Sequence, residues 1–325
     1  MGRAVPAYLR LPQQLRIQSY HVYMIAFLAC VILVGTCTSA LFRMNHYNER
    51  LSATRATDYA AFVELQRQVP SLLADRRNWM NTLFVKRAWF WNTLAMGLIA
   101  ATLKRTGGGV QGEMGKVPVP ARVRSWHDVV ASKTFVRWLI ATIGWFLVAQ
   151  WSFGASLLER MHVASGGQCL VNAMEVDPTL CRTRAPLSLK THPHLLGQLH
   201  PTLLERHSTL HAGWHGGVNV SGHTFILVLS LLVLGEMLVP YVPVSWAPLA
   251  IPTAVRSQRN VWRDGPPAVR HRNQLVLLGT LALMALWTGM LCATSMYYHT
   301  AVEKAAGFFT AIAVWLLVPK ETALV

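Results

Sequence analysis

The chain has 325 residues, of which 53% are apolar and only 14% charged, with 30 Lys and Arg against 14 Asp and Glu. That balance argues against a water-soluble domain and for a membrane protein, because several apolar runs approach the roughly 20 residues needed to cross a hydrocarbon core. The net charge of +16 does not indicate a nucleic-acid partner: the basic residues lie between the apolar runs, where they favour the cytosolic side and anionic headgroups, and no RNP, helix-turn-helix or zinc-finger pattern is present.

In chain order, residues 1–20 form a basic tail with Arg3, Arg10 and Arg16 and no acid or cleavage site. The first span is expected over residues 21–42. Residues 43–81 are of mixed charge, broken by Pro70, and read as lying on the membrane surface or against the bundle. The second span covers 83–103, with Lys86 and Arg87 snorkelling and Trp89 and Trp91 in an aromatic belt. Residues 104–133 are a basic linker. Its Gly107-Gly108-Gly109 lacks the Gly-Lys-Ser/Thr of a P-loop. The third span is 135–153.

The long loop 157–222 holds Cys169 and Cys181, and seven histidines run from His192 to His223. The fourth span, 223–240, carries Glu236 near its end. A loop with Arg256, Arg259, Arg263, Arg270 and Arg272 follows, then spans at 275–298 and 301–318 joined by a tight hairpin. The expected fold is therefore all-α: one integral membrane domain, 1–325, with six transmembrane helices. Six spans place both termini on one side and bring His223 and His299 to the other. The Lys and Arg count favours cytosolic termini and lumenal histidines.

Cys30, Cys37 and Cys292 lie in apolar runs and read as small buried residues. Cys169 and Cys181 pair if their loop faces an oxidising lumen and stay as thiols otherwise.

Two histidines can split a phosphoester in two steps, one attacking phosphorus and the other protonating the leaving oxygen. Ser221 is a favoured N-cap before His223, and the free N–H groups of that helix start form an anion site. Glu303, four residues after His299, can orient its ring across one helical turn. The plainer reading of either histidine is an interfacial side chain with its polar tip in water. His207, His211 and His215 are spaced four apart, as zinc ligands on a helix face would be. Gly213, Gly216 and Gly217 oppose a helix there, so a solvated loop and no metal is expected. No Gly-x-Ser-x-Gly is present, which disfavours a serine hydrolase.

Val220-Ser221-Gly222-His223-Thr224-Phe225-Ile226-Leu227 followed by Glu236, Tyr297-Tyr298-His299-Thr300 with Glu303-Lys304 and Gly307, and Gly166-Gly167-Gln168-Cys169 together resemble the fat storage-inducing transmembrane (FIT) family. The long loops look like those of its fungal members. The family is related to lipid phosphate phosphatases, so the resemblance implies a bundle of that kind in the endoplasmic reticulum membrane, supporting lipid droplet formation and lipid homeostasis. It implies an acyl-CoA diphosphatase that cleaves fatty acyl-CoA to acyl 4′-phosphopantetheine and adenosine 3′,5′-bisphosphate. His223 then matches the proton donor and His299 the nucleophile, with fatty acyl-CoA, membrane lipids and neutral lipid as partners and no cofactor or metal. The chain departs from the phosphatase pattern: Glu303 stands for Asp, Ala293 for an arginine, and the Lys-x6-Arg-Pro phosphate clamp is missing. Arg160, Lys304 and the Ser221 helix start are then the candidate phosphate contacts. The alternatives are a non-catalytic protein that binds triacylglycerol or diacylglycerol, and a phosphatase of phosphatidic or lysophosphatidic acid.

Overall fold

The computed structural model describes residues 17–102, 133–150, 155–188, 190–196, 209–241, 262 and 266–320. In chain order its elements are α1 (Ser19–Phe42), α2 (His46–Thr57), α3 (Tyr59–Arg67), a 3-10 turn (Leu72–Ala74), a π-helical turn (Asn81–Val85) and α4 (Ala88–Thr102). Then come α5 (Lys133–Trp145), a second π turn (Phe146–Gln150), α6 (Leu157–Ala164), β1 (Gln168–Val171), β2 (Met174–Glu175), α7 (Pro178–Thr183) and α8 (Pro193–Leu196). The rest are β3 (Gly213–His215), α9 (Gly222–Leu238) with a 3-10 turn (Val239–Tyr241), α10 (Pro267–Tyr297) and α11 (Ala301–Leu317).

Each of the six apolar runs contains a helix. Three helical segments are long and apolar enough to cross a bilayer: Ser19–Phe42, Gly222–Tyr241 and Pro267–Tyr297. Among the described residues α4, α5 and α11 are shorter, at 15, 13 and 17 residues. The second and third runs are not continuous α-helix as expected. A π turn precedes α4, with Lys86 and Arg87 between them, and another follows α5. The Gly107–Gly109 linker, residues 1–16 of the basic tail and the loop carrying Arg256 and Arg259 lie outside the described residues, and the first helix takes in Ser19 and Tyr20 of that tail.

Helix α9 is the axis of the bundle. Every residue from Thr224 to Leu238 is buried, and a helix apolar on all sides belongs in a core. Helices α1, α4, α5, α10 and α11 pack around it, and their outer faces expose Leu33, Leu41, Phe42, Leu278, Phe309 and Leu317. So broad an apolar exterior fits a lipid surround. Cys30 and Cys37 share that outer face and Cys292 is half-buried, contrary to the buried positions expected. Helices α1 and α10 meet at Gly35, where an added Cβ would lie 2.6 Å from Ser295 Cβ. Small residues let helix backbones approach in this way. Trp89 turns inward rather than to an interface: it is buried and stacks on Trp145 at 5.5 Å.

Four chain segments converge at one end of the bundle. His21 Nε2–H donates to Glu236 Oε2 at 2.8 Å, and the Tyr20 hydroxyl donates to Glu236 Oε1 at 3.4 Å. Arg137 Nη2 lies 3.9 Å from the same carboxylate, and its Nε donates to the Pro319 carbonyl at 2.8 Å. Lys320 donates to the Trp315 and Val318 carbonyls. Thus the start of α1, the start of α5, the end of α9 and the residues after α11 are tied together by buried polar groups. Such groups are tolerated only when partnered.

The opposite end carries a cap. Its sheet has the order β2-β1-β3, antiparallel throughout, with Cys169 opposite Trp214. This small sheet corrects the purely α expectation: the fold is mostly helical. Gly216 and Gly217, with φ of 67° and 63°, turn the chain after β3. The Cys169–Cys181 disulfide ties β1 to α7. Tyr59, Phe62 and Val63 of α3 pack on Cys169, Val171, Leu187 and Leu210 to form a second core. Residues 43–81 are therefore part of the cap and lie against the end of α10.

Candidate functional site

Ser221 caps α9 as its residue type predicts: the hydroxyl accepts from Thr224 N–H at 3.2 Å. His223 follows in the first turn and is half-buried. Its Nε2 lies 2.9 Å from Asn81 Oδ1. The Asn81 amide orientation follows from its other bond, since Nδ2 donates to the Arg76 carbonyl at 2.8 Å. Oδ1 therefore faces His223 and must accept, which puts the ring proton on Nε2.

His299 lies in the three-residue gap between α10 and α11, with φ of 61°. A left-handed backbone is unusual for a residue with a Cβ, costs about 1–2 kcal/mol, and is found where the surroundings over-determine it. Those surroundings centre on Glu303. Its Oε2 accepts from Thr300 N–H at 2.8 Å and from His299 Nδ1–H at 3.3 Å, and its Oε1 accepts from Asn219 N–H at 2.9 Å. Its backbone carbonyl accepts from Ser221 N–H at 3.1 Å. Glu303 also completes a capping box with Thr300 at the start of α11. One residue thus holds His299 in a single tautomer and joins its hairpin to the loop leading to His223. The side chains of His299 and Glu303 are 19% and 14% exposed, so the ring edge stays accessible.

The cationic side chains within electrostatic reach of His223 are Arg76 and Lys86, and the His299 ring lies within the same reach. The two histidines expected on one side are therefore brought together at one site, within electrostatic reach of two cations, Arg76 and Lys86, that the sequence had not assigned to it. Arg76 is held by Asn48 Oδ1 at 3.2 Å and Ser52 Oγ at 3.1 Å, with its guanidinium 5.7 Å from the Tyr298 ring centre. It makes no ion pair among the described residues. Its side chain reaches solvent from a recess whose walls still strip enough water to hold the guanidinium below the usual arginine range. The like charge of Arg184 adds to that shift, and Tyr298 and Glu303 oppose it. Asn48 also donates to the Tyr297 carbonyl at 3.1 Å, and Tyr298 donates to the Leu73 carbonyl at 2.8 Å. These bonds hold the 43–87 segment against the hairpin. Nothing in the local pattern around Arg76 or Asn81 signals this. The pairings span 142 and 249 residues.

The two side chains expected as phosphate contacts donate instead to backbone carbonyls. Lys304 is 2% exposed and its ammonium donates to the Ser295 carbonyl at 2.8 Å. Arg160 is exposed on α6 with Nε on the Ala155 carbonyl at 3.0 Å. Of the spaced histidines, His207 lies outside the described residues, and among the described residues no three metal-ligating side chains come together.

The profile of the fat storage-inducing transmembrane protein family matches residues 69–318. The chain belongs to the FIT family. It is a multi-pass membrane protein, and the match begins just before Arg76 and ends after α11, so it contains Arg76, Asn81, Lys86, His223, His299 and Glu303. A relative in Schizosaccharomyces pombe, acyl-coenzyme A diphosphatase fit1, is 27% identical over 261 residues, covering 80% of this chain and 77% of its own length. No solved structure matches.

Proposed function

We propose that the protein is an acyl-CoA diphosphatase with His299 as nucleophile and His223 as general acid and base. The observation that carries this reading is the coupling of the two rings through Glu303, which bonds His299 and anchors the loop before His223. With Nδ1–H on the carboxylate, the His299 lone pair sits on Nε2, free to attack phosphorus. A P–N bond forms and the P–O bond to the leaving phosphate breaks. His223 enters this step protonated on both nitrogens, and with Nε2–H held by Asn81 it passes the Nδ1 proton to the departing oxygen. Water then attacks the phosphohistidine, giving its proton to His223 and releasing His299. Arg76, Lys86 and the α9 N-terminus supply the positive field for the phosphates. No cofactor or metal enters these steps. The products are acyl 4′-phosphopantetheine and adenosine 3′,5′-bisphosphate. The name of the S. pombe relative supports this substrate class.

In this reading the chain is one membrane domain with six spans in the endoplasmic reticulum, and it supports lipid droplet formation. The convergence of the α1 and α5 starts with the α9 and α11 ends supports alternating helix directions. The loop bearing the Cys169–Cys181 disulfide leads to His223, and a disulfide persists in an oxidising compartment. This favours a lumenal site and cytosolic termini.

The test is hydrolysis of a long-chain unsaturated acyl-CoA by purified protein, followed by mass spectrometry, with His223→Ala and His299→Ala alongside. Adenosine bisphosphate released by the parent and lost in both variants is the expected result. Parent-like release by either variant would remove its catalytic role. Phosphate release from phosphatidic acid alone would keep the site and change the substrate. Activity on neither, with triacylglycerol still bound, would favour the lipid-binding alternative.

A further inference from the structure

An apolar groove of about 560 Å³ runs between α4 and α10. Phe84, Trp91, Leu94 and Leu98 form one wall, and Leu275, Gly279, Leu283 and Leu286 form the other. Its volume falls within the usual range for small-ligand sites. The hydroxyl of Thr280, also in the lining, is turned onto the Val276 carbonyl at 2.8 Å, so the groove offers no free hydroxyl there. What distinguishes it from an ordinary lipid-facing furrow is its upper end. Phe84 belongs to the π turn Asn81–Val85, whose first residue holds His223. Phe84 stacks on Trp91 at 5.3 Å, and Trp91 Nε1–H donates to the Leu83 carbonyl of the same turn at 2.9 Å. Lys86, whose field reaches His223, follows directly. One turn of chain thus forms both the polar site and the mouth of the groove.

We propose that this groove binds the fatty acyl chain of the substrate while its phosphates rest at His223, Arg76 and Lys86. The inference rests on the proposed reaction and adds the acyl subsite to it. The charge arrangement suits an amphiphile, with cations at one end and no charged side chain in the lining beyond. From Leu286 to Leu275 the α10 wall is about 16 Å long at 1.5 Å per residue. At about 1.2 Å per bond in an extended chain, that length takes roughly a dozen carbons or more, so long chains fill it and short ones do not. A second furrow of about 330 Å³ lies on the other face of α10, lined by Phe27, Cys30, Val31, Val34, Gly289 and Cys292. It shares no lining residue with the turn that holds His223, which makes it the internal control.

A Cβ added at Gly279 meets nothing within 4 Å, and the same holds at Gly289. Gly279→Phe therefore starts its side chain in open space in the lower part of the proposed subsite, and Gly289→Phe makes the same change in the other furrow. Chain-length profiles of kcat/KM are measured for both variants and the parent with acyl-CoAs of six to eighteen carbons in one detergent. A displaced chain rests in detergent rather than water, so the loss comes from misplaced phosphates. Errors of about 1 Å cost up to a hundredfold. The expected result for Gly279→Phe is at least a tenfold fall on eighteen carbons relative to eight, with short-chain activity retained and Gly289→Phe like the parent. Parallel profiles for Gly279→Phe and an active parent would overturn the subsite. A second readout needs no turnover: a long-chain acyl-CoA carrying a diazirine in mid-chain is photolysed with the parent and the adduct mapped. Adducts on α4 or on Leu275–Leu286 support the groove even if hydrolysis is absent, in which case the proposed reaction alone fails. Adducts confined to Phe27–Val34 or other surfaces overturn it.

Discussion

Gly307 sits where α11 crosses the start of α9, and replacing it with alanine tests whether that crossing sets the distance between the two histidines. A Cβ at Gly307 would lie 2.6 Å from the Ser221 carbonyl oxygen and 3.2 Å from Thr224 Cβ. Reaching an ordinary contact of about 3.4 Å needs a separation of about 0.8 Å, and the carbonyl cannot swing away because it accepts the first bond of α9, from Phe225 N–H at 3.0 Å. The shift falls between His223, two residues past Ser221, and Glu303, one turn before Gly307. It also stretches the bond between Ser221 N–H and the Glu303 carbonyl, now 3.1 Å. Overpacking of this kind costs about 1–3 kcal/mol, partly offset by about 1 kcal/mol from the better helix propensity of alanine. The larger effect is on rate: a displacement near 1 Å at the reacting groups lowers kcat/KM by about ten- to a hundredfold. The assay is acyl-CoA hydrolysis in detergent beside thermal unfolding. Gly97→Ala serves as control, since its added Cβ meets nothing within 4 Å and it should gain propensity with activity unchanged. Parent-like turnover by Gly307→Ala would refute the argument that this contact fixes the geometry of the site.

Two further perturbations follow from bonds already described. Asn81→Leu removes the acceptor that holds His223 Nε2–H and leaves that donor and the Arg76 carbonyl unpaired. We expect kcat to fall by at least tenfold and stability by about 1–3 kcal/mol, measured by steady-state hydrolysis and unfolding. A variant with parental kcat would show that His223 needs no such anchor. Cys169→Ser with Cys181→Ser opens a loop whose closure is worth about 3 kcal/mol. The cap should then be cleaved by protease at lower temperature while the bundle stays intact, and identical digestion of both proteins would count against the cap being held by the bridge.

Much of the helical plan was legible because apolar runs and caps are local signals. Ser221 caps α9 and Glu303 meets His299 across one turn, both as residue type and spacing imply. The π turns were not legible, since composition does not encode a one-residue change in backbone register. Nor was the cap sheet, whose strands are at most four residues long and depend on a disulfide and paired glycines rather than on an alternating pattern. Lys304 illustrates a different failure. Its position beside Glu303 suggested the site, yet an i+1 neighbour on a helix points to another face, and there it holds the Ser295 carbonyl in the interior. Arg76 and Asn81 reach the site only through contacts across most of the chain, which no window of sequence contains.

Glu303 occupies the N3 position of a capping box while its carboxylate also holds His299. Helix initiation and ring orientation therefore place overlapping demands on one side chain, and glutamine meets the first demand nearly as well as glutamate. A paralogue that had lost hydrolysis and kept only a structural role would still be under pressure to keep an acid or amide there, or α11 would lose its start. Retention of this position across a lineage is thus weak testimony that the chemistry survives. Positions 299 and 81, whose side chains cap no helix, are the ones whose drift would mark the loss of an enzyme.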